Sequence, residues 1–250
     1  MSKVDILGVH VDNLDKDEVQ RRIEESITQN RKDVYAYVNI NAINVARRNA
    51  RFRDILNRAS VVYCDGEGVR IGARILGVWL PPRIVLTYWV WYLCRVSEQK
   101  GFTIFFLGGS EGTIDQAVRN VRARHPRMQV VGWHHGYYPK NGAVNDQVLD
   151  LIHKSRPNIL FVGFGMPMQE EWIMHNMERL HANVILPSGS MIEYVAGNKR
   201  PAPLWMAQHG MEWVYRLFQE PRRLMGRYLM GNPAFVFQVL LQAKRQGGHR

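Results

Sequence analysis

The sequence predicts an α/β protein: a mostly parallel, Rossmann-like sheet flanked by helices, with a C-terminal helical appendage. Three observations carry this. Short β-branched and aromatic runs alternate with helix-length amphipathic stretches as far as residue 197. Glycine-rich or polar turns follow several of those runs. Beyond them Pro201, Pro203, Pro221 and Pro233 punctuate a segment without strand patterning. The expected division is an α/β domain over residues 1–197 and a basic helical appendage over residues 198–250.

The elements follow in order. Val4–Val11 is β-like. Asp15 with Glu18 three residues on resembles a capping box, opening a helix whose face carries Val19, Ile23 and Ile27. Asp15-Lys16-Asp17 also has the spacing of a metal-holding pair, but the helix dipole alone explains carboxylates there. Val34–Val38 reads as a buried strand, with Asn39-Ile40-Asn41 opening the next helix. Val61–Tyr63 is a strand that breaks at Cys64-Asp65-Gly66-Glu67-Gly68.

Ile84–Cys94 is the longest apolar run, too short for the ~20 residues of a membrane span. It is a core helix or an aromatic surface lying against lipid. Thr103–Leu107 is a strand ending in Gly108-Gly109, and Ile114, Ala117, Val118 and Val121 mark the following helix. Met128–Trp133 (strand), Val144–Lys154 (helix) and Asn158–Val162 (strand) come next. Gly163-Phe164-Gly165-Met166-Pro167 leads into a helix striped by Trp172, Ile173, Met177 and Leu180. Val184–Leu186 is the last strand, closed by Pro187–Ser190. Proline is accepted in a helix's first turn, so Pro203, Pro221 and Pro233 each suit a helix start.

Composition narrows the partners. The 250 residues carry a net charge of +11, which favours phosphates in nucleic acid, an anionic membrane or a nucleotide substrate. Lys199–Arg250 holds nine of the basic residues against two acids, Glu212 and Glu220. That segment is also rich in Trp, Tyr, Phe and Leu, unlike a disordered tail. No helix-turn-helix or zinc signature supports nucleic-acid binding. Two cysteines, Cys64 and Cys94, make no disulfide framework, and no signal peptide is evident, so a cytoplasmic location is expected.

Ligands of an open parallel sheet sit beyond the carboxyl ends of its strands. Five turns fall there: Asn39–Asn41, Cys64–Gly68, Gly108–Gly112, Gly163–Gln169 and Pro187–Ser190. Converging glycine loops and helix N-termini suit a nucleotide diphosphate. A dinucleotide fingerprint starting at Gly163 fails, because Met168 stands where its third small residue belongs. Asp65 is the sharpest candidate. It either caps the next helix or acts as a general base on an attacking hydroxyl, with Glu67 a lesser competitor.

Taken together, CDGEGV, FFLGGSEG, VGFGMPMQEEWI, GSMIEYVAGNKRPAP and GMEWVYRLFQEPRRL resemble the WecG/TagA/CpsF family of bacterial glycosyltransferases. The resemblance implies transfer of N-acetylmannosamine or a related sugar from a UDP donor to a polyprenyl-diphosphate-linked sugar. It implies an inverting mechanism without metal or other cofactor, for cell-surface polysaccharide. Asp65 matches the family's presumed base, and Arg83 matches an arginine placed to neutralise the leaving diphosphate. Asn39, Asn41, Gly108, Gly109, Gly163, Gly165, Gln169 and Glu193 match substrate-binding positions. Arg216, Arg222, Arg223 and Arg227 match the appendage's basic stretch, with Arg216, Arg223 and Arg227 expected to bind substrate.

That resemblance also implies peripheral attachment at the inner face of the plasma membrane; for want of a nucleic-acid-binding signature, no nucleic-acid partner is expected. Trp205, Trp213, Tyr215, Phe218 and Tyr228 are the aromatics offered for it. A homo-oligomer is compatible with the sequence. Two departures bear on specificity: Asn39 replaces a common threonine, and Leu86 and Tyr88 replace a glycine and an aspartate.

Overall fold

The computed structural model describes residues 2–247, with the side chains of Leu204, Gln208, Arg223 and Arg227 outside the described set. The β-like opening is a hairpin of β1 (Lys3–Ile6) and β2 (Val9–Asp12), paired antiparallel. Leu7 and Gly8 both take positive φ, 55° and 87°, so the chain reverses where the sequence offers no Asn-Gly signal.

Next come α1 (Lys16–Thr28), β3 (Asp33–Val38), α2 (Ile40–Arg48), α3 (Ala50–Arg58), β4 (Val61–Cys64), α4 (Glu67–Ile75) and α5 (Leu86–Lys100). Asp15 is the N-cap of α1, accepting from the Glu18 N–H at 2.8 Å. Its carboxylate is thereby accounted for without a metal. Leu86, Trp89, Val90, Leu93 and Cys94 of α5 are buried at helical spacing, so the apolar run belongs to the core.

The chain continues through β5 (Thr103–Gly108), α6 (Glu111–Arg124), β6 (Gln129–His134), α7 (Gly142–Ser155), β7 (Ile159–Gly163), α8 (Met168–His175), β8 (Val184–Pro187) and α9 (Met191–Ala196). Six strands form one parallel sheet in the order β4-β3-β8-β7-β5-β6. The step from β3 to β4 runs toward one edge and that from β5 to β6 toward the other. A crevice at the carboxyl ends of the strands between them is the expected consequence.

Alternation along the strands feeds both faces. Ile104 and Phe106 point to a layer containing α1, α5, α6 and α9. Phe105 and Leu107 point to the opposite layer, with α7 and α8. Ala36 and Val38 lie in the part of that opposite layer covered by the hairpin, α2, α3 and α4.

After α9 the chain is helical: α10 (Leu204–Gln208), α11 (Glu212–Gln219), α12 (Pro221–Leu229) and α13 (Gly231–Gly247). Pro203 is the N-cap of α10 and Pro221 the first residue of α12. The last helix returns to the core. Phe235 and Val239 are fully buried among residues of α2 and α4. Gly72 makes room for the ring, since a Cβ there would lie 2.7 Å from Phe235 Cζ. Gln242 ties α13 to the hairpin turn, accepting from the Leu7 N–H and donating to the Asp5 carbonyl, each at 2.9 Å.

Candidate active site

A cleft of about 1100 Å³ opens at the carboxyl ends of the strands, and Asp65 lies in its wall. The Asp65 N–H donates to the Val38 carbonyl at 2.9 Å, extending the β3–β4 pairing one residue past the strand. Gly66, not Asp65, holds the N-cap position of α4, and no side chain caps that helix. The capping role is therefore free, and the carboxylate is turned to the cleft. Close contact with the next strand-end loop explains the glycine: a Cβ on Gly66 would sit 3.0 Å from Asn39 Cβ. Glu67 is engaged elsewhere, in a two-oxygen ion pair with Arg70 at 2.8 and 2.9 Å.

Asp65 is held above the ordinary aspartate range, chiefly because burial disfavours its charge. Arg216 opposes this, Glu212 adds to it, and Arg83 and an Asn39 hydrogen bond oppose it again. That bond runs from Asn39 Nδ2 to Asp65 Oδ2 at 3.3 Å, while Asn39 Oδ1 caps α2 at the Ala42 N–H. One side chain thus fixes both a helix start and the carboxylate.

Three other loops close against each other. Gly108 has φ of 145°, and a Cβ there would meet the Gly163 carbonyl oxygen at 2.5 Å. Gly163 in turn lies under Gly189 O and Ser188 Oγ. These glycines are needed for loop-on-loop packing, whatever else they do. Gln169 is fully buried behind the cleft, where its Oε1 accepts from the N–H groups of Gly165 (3.2 Å) and Gly189 (2.9 Å). It joins the β7 and β8 loops and is not itself on the wall.

Of the other sequence candidates, Asn41, Gly109, Gly163, Gly165, Glu193 and Arg216 line the cleft with Asn39 and Asp65. Asn41 Nδ2 donates to Met166 Sδ at 3.2 Å, and Glu193 accepts from Asn198 Nδ2 at 3.0 Å. Arg83 and Gly108 stand behind the wall. Arg83 Nη1 reaches Glu212 Oε2 at 2.8 Å, and its Nη2 donates to the Ala207 carbonyl at 2.9 Å. Arg223 and Arg227 are on α12, but their side chains lie outside the described residues.

The β6 loop was missed by sequence reasoning. Gly136, Tyr137, Tyr138 and Lys140 line the cleft, and the Gly136 N–H donates to the Gly109 carbonyl at 2.7 Å. Lys140 Nζ donates to the Gly136 and Tyr138 carbonyls at 2.6 and 2.8 Å and lies over the Tyr138 and Phe164 rings. Burial lowers its pKa to about 8. The signal was present: HGYYPK directly follows the Met128–Trp133 strand, so the strand-end rule pointed to it. Tyr37 and Tyr194 also line the cleft, as does Tyr228, which the sequence offered for membrane contact instead.

Three buried polar atoms on this wall have no hydrogen-bond partner among the described residues: Thr87 Oγ1, Ser188 Oγ and Arg216 Nε. Buried polar groups are rarely left unpaired, so these three stand out on the wall. The same residues contain no cluster of three or more His, Cys, Asp or Glu side chains arranged to hold a metal ion. Both cysteines are buried and free, and burial pushes each thiol up to about 12.

Comparison with known proteins decides the class. Residues 4–249 match the model described as the glycosyl transferase WecG/TagA/CpsF family. The chain belongs to this family. It is 30% identical, over 98% of its own length and 94% of the relative's, to the N-acetylglucosaminyldiphosphoundecaprenol N-acetyl-beta-D-mannosaminyltransferase of Staphylococcus aureus strain MW2. The same identity and coverage hold for that transferase from strains NCTC 8325 / PS 47 and MRSA252. The chain is thus a glycosyltransferase of the WecG/TagA/CpsF family. No helix among its described residues is long and apolar enough to cross a membrane.

Proposed function

We propose that this enzyme moves N-acetylmannosamine or a closely related sugar from a UDP donor to a polyprenyl-diphosphate-linked sugar, with inversion and without a metal. The observation that carries the reading is the placement of Asp65: a carboxylate of raised pKa on the wall of a large cleft, beside Arg216. Asp65 accepts the proton of the acceptor hydroxyl as its oxygen bonds to the anomeric carbon. The bond from that carbon to the donor's diphosphate oxygen breaks, and UDP departs with the electron pair.

Charge accumulates on that diphosphate, and fixed donors stabilise it better than water does. Arg216 on the wall supplies such donors, Arg83 supports it from behind, and Arg223 and Arg227 on α12 add to it. Asn39 orients the base. Asn41, Glu193 and the backbone at Gly109, Gly163 and Gly165 bind the substrates, on a scaffold set by Gly108 and Gln169. The relatives' printed activity, transfer of N-acetylmannosamine to a lipid-linked N-acetylglucosamine, supports the choice of sugar.

Placement at the inner face of the membrane rests on the appendage. Phe218 is 82% exposed and Met230 72%, and Trp205, Leu229 and Phe237 are exposed as well. Apolar side chains set among basic ones suit an anionic bilayer, each cation near it being worth about 1 kcal/mol. Of the aromatics offered for this, Trp213 is exposed but packs edge-on against Tyr228, and Tyr215 is half-buried.

The test is Asp65→Asn, assayed with a panel of UDP-sugars and a soluble prenyl-diphosphate-sugar analogue, with and without EDTA. It is expected to fold, bind the donor and lose turnover by roughly 10²–10⁴-fold. Near-native turnover would remove Asp65 from the mechanism, and loss of wild-type activity in EDTA would remove metal independence.

A further inference from the structure

Glu212 is a buried carboxylate shared by two arginines from distant parts of the chain. Its Oε2 accepts from Arg83 Nη1 at 2.8 Å, and its Oε1 pairs with Arg216 Nη2 at 2.6 Å. The Ala207 carbonyl gives Arg83 a second anchor in the appendage. Nearby, the Tyr88 hydroxyl donates to the Ala202 carbonyl at 2.8 Å. Buried ion pairs are weak contributors to stability, and apolar side chains of the same volume often serve as well. Three charges gathered here therefore call for a reason beyond holding two helices together.

The geometry supplies one. Glu212 and Arg216 are one turn apart on α11, so their side chains share a face. Arg216 is on the cleft wall and Arg83 is not. Fixing Glu212 through Arg83 therefore fixes how α11 is rotated and where the Arg216 guanidinium stands.

We propose that Glu212 is a positioning residue: it latches α11 to the core through Arg83 and holds Arg216 in the cleft, touching no substrate atom itself. This rests on the reading of Arg216 and Asp65 given above. It has a second effect on the base. Asp65 is faced by Arg216 and Glu212 from α11, by Arg83 from the segment before α5, by Asn39 at the start of α2, and by Tyr63 and Cys64 on its own strand. Glu212 partly cancels the two arginines, and so keeps Asp65 more basic than they alone would leave it.

Glu212→Gln keeps the shape and removes the charge. We expect kcat to fall by about 10²-fold, the scale of a small misplacement at a reacting centre, with a smaller change in the donor KM. The acid limb of the kcat–pH profile should move to lower pH, and Glu212→Asp should restore the limb more fully than kcat. Arg83→Met removes a cation instead and should move the limb to higher pH, which keeps the test valid if Glu212→Gln fails to fold. Unmoved acid limbs in the folded variants would overturn the proposal, even if activity fell with thermal stability, because a mere strut would do that. Asp65→Asn run in parallel separates the failures. Native-like turnover there sinks the underlying reading, whereas lost turnover with an unmoved Glu212→Gln limb sinks only the role of Glu212.

Discussion

The α/β core and the helices after Gly197 treat their large side chains in opposite ways. In the core, Phe105, Phe106 and Phe161 are sealed between sheet and helices. In the appendage, Phe235 is sealed too, but Trp205, Phe218, Leu229, Met230 and Phe237 face outward. The core thus spends its apolar surface on fixing strand ends, and hence the loops that carry Asp65 and the glycine contacts. The appendage leaves much of its apolar surface exposed. It also brings Arg216, with Lys199, Glu220, Leu224 and Tyr228, to a cleft whose other walls belong to the core. Position comes from one region; the other brings positive charge to the cleft and, in the proposed function, the lipid contact.

Deleting residues 198–250 would break that division most severely. It removes Arg216 from the wall, and loss of one donor of this kind already costs about 10²–10³-fold in turnover. Turnover should fall by at least that much, and binding to anionic liposomes should vanish in a flotation assay. Undiminished liposome binding would move the membrane contact to the core. Because Phe235 and Val239 also leave, the exposed face of α2 and α4 should lower thermal stability as well.

Two phenylalanines sharpen the comparison within the appendage itself. Phe235→Ala empties a fully buried site and should cost about 3–5 kcal/mol in denaturant unfolding. Phe218→Ser alters a side chain that is almost wholly in solvent, so stability should change by no more than about 0.5 kcal/mol. Liposome affinity should respond in the reverse order, falling for folded Phe218→Ser. If both variants lowered stability alike, the outward face would have to be packed against the protein.

How much was legible in the sequence follows the same division. In the core, period and turn chemistry agree, so Val34–Val38, Thr103–Leu107 and Asn158–Val162 announce buried parallel strands, and Asp65 announces the end of one. The first hairpin did not announce its turn, because Leu7 adopts a left-handed backbone that its residue type disfavours. Helix α3 was hidden because its three buried residues, Phe52, Ile55 and Leu56, are outnumbered by Arg51, Arg53, Asp54 and Arg58. At the site, residue type identified Asp65 but could not tell which arginine faces the cleft. Arg83 is engaged instead by Glu212, in a contact spanning 129 residues that no local pattern encodes.

Glu170 offers the finest test, because it places a titration in the core and away from the cleft wall. Its side chain is buried, Oε1 accepts from Gln169 Nε2 at 2.8 Å, and Oε2 has no partner among the described residues. Burial raises its pKa to about 7 from an ordinary 4.5. Between those values the unfolded chain has released a proton that the folded chain retains. Stability is therefore fully present below about pH 4.5 and declines as pH rises through about 7. At one pKa unit per 1.36 kcal/mol, this amounts to about 3 kcal/mol at most. Glu170→Gln keeps the acceptor for Gln169 and removes the titration, so its unfolding free energy should vary less between pH 5 and pH 8 than the parent's, by up to about that amount. The acid limb of turnover should stay where Asp65 sets it. A limb that moved with Glu170→Gln would mean that the core and the cleft share one titration, and the separation of scaffold from chemistry would fail at Gln169, the residue that joins them.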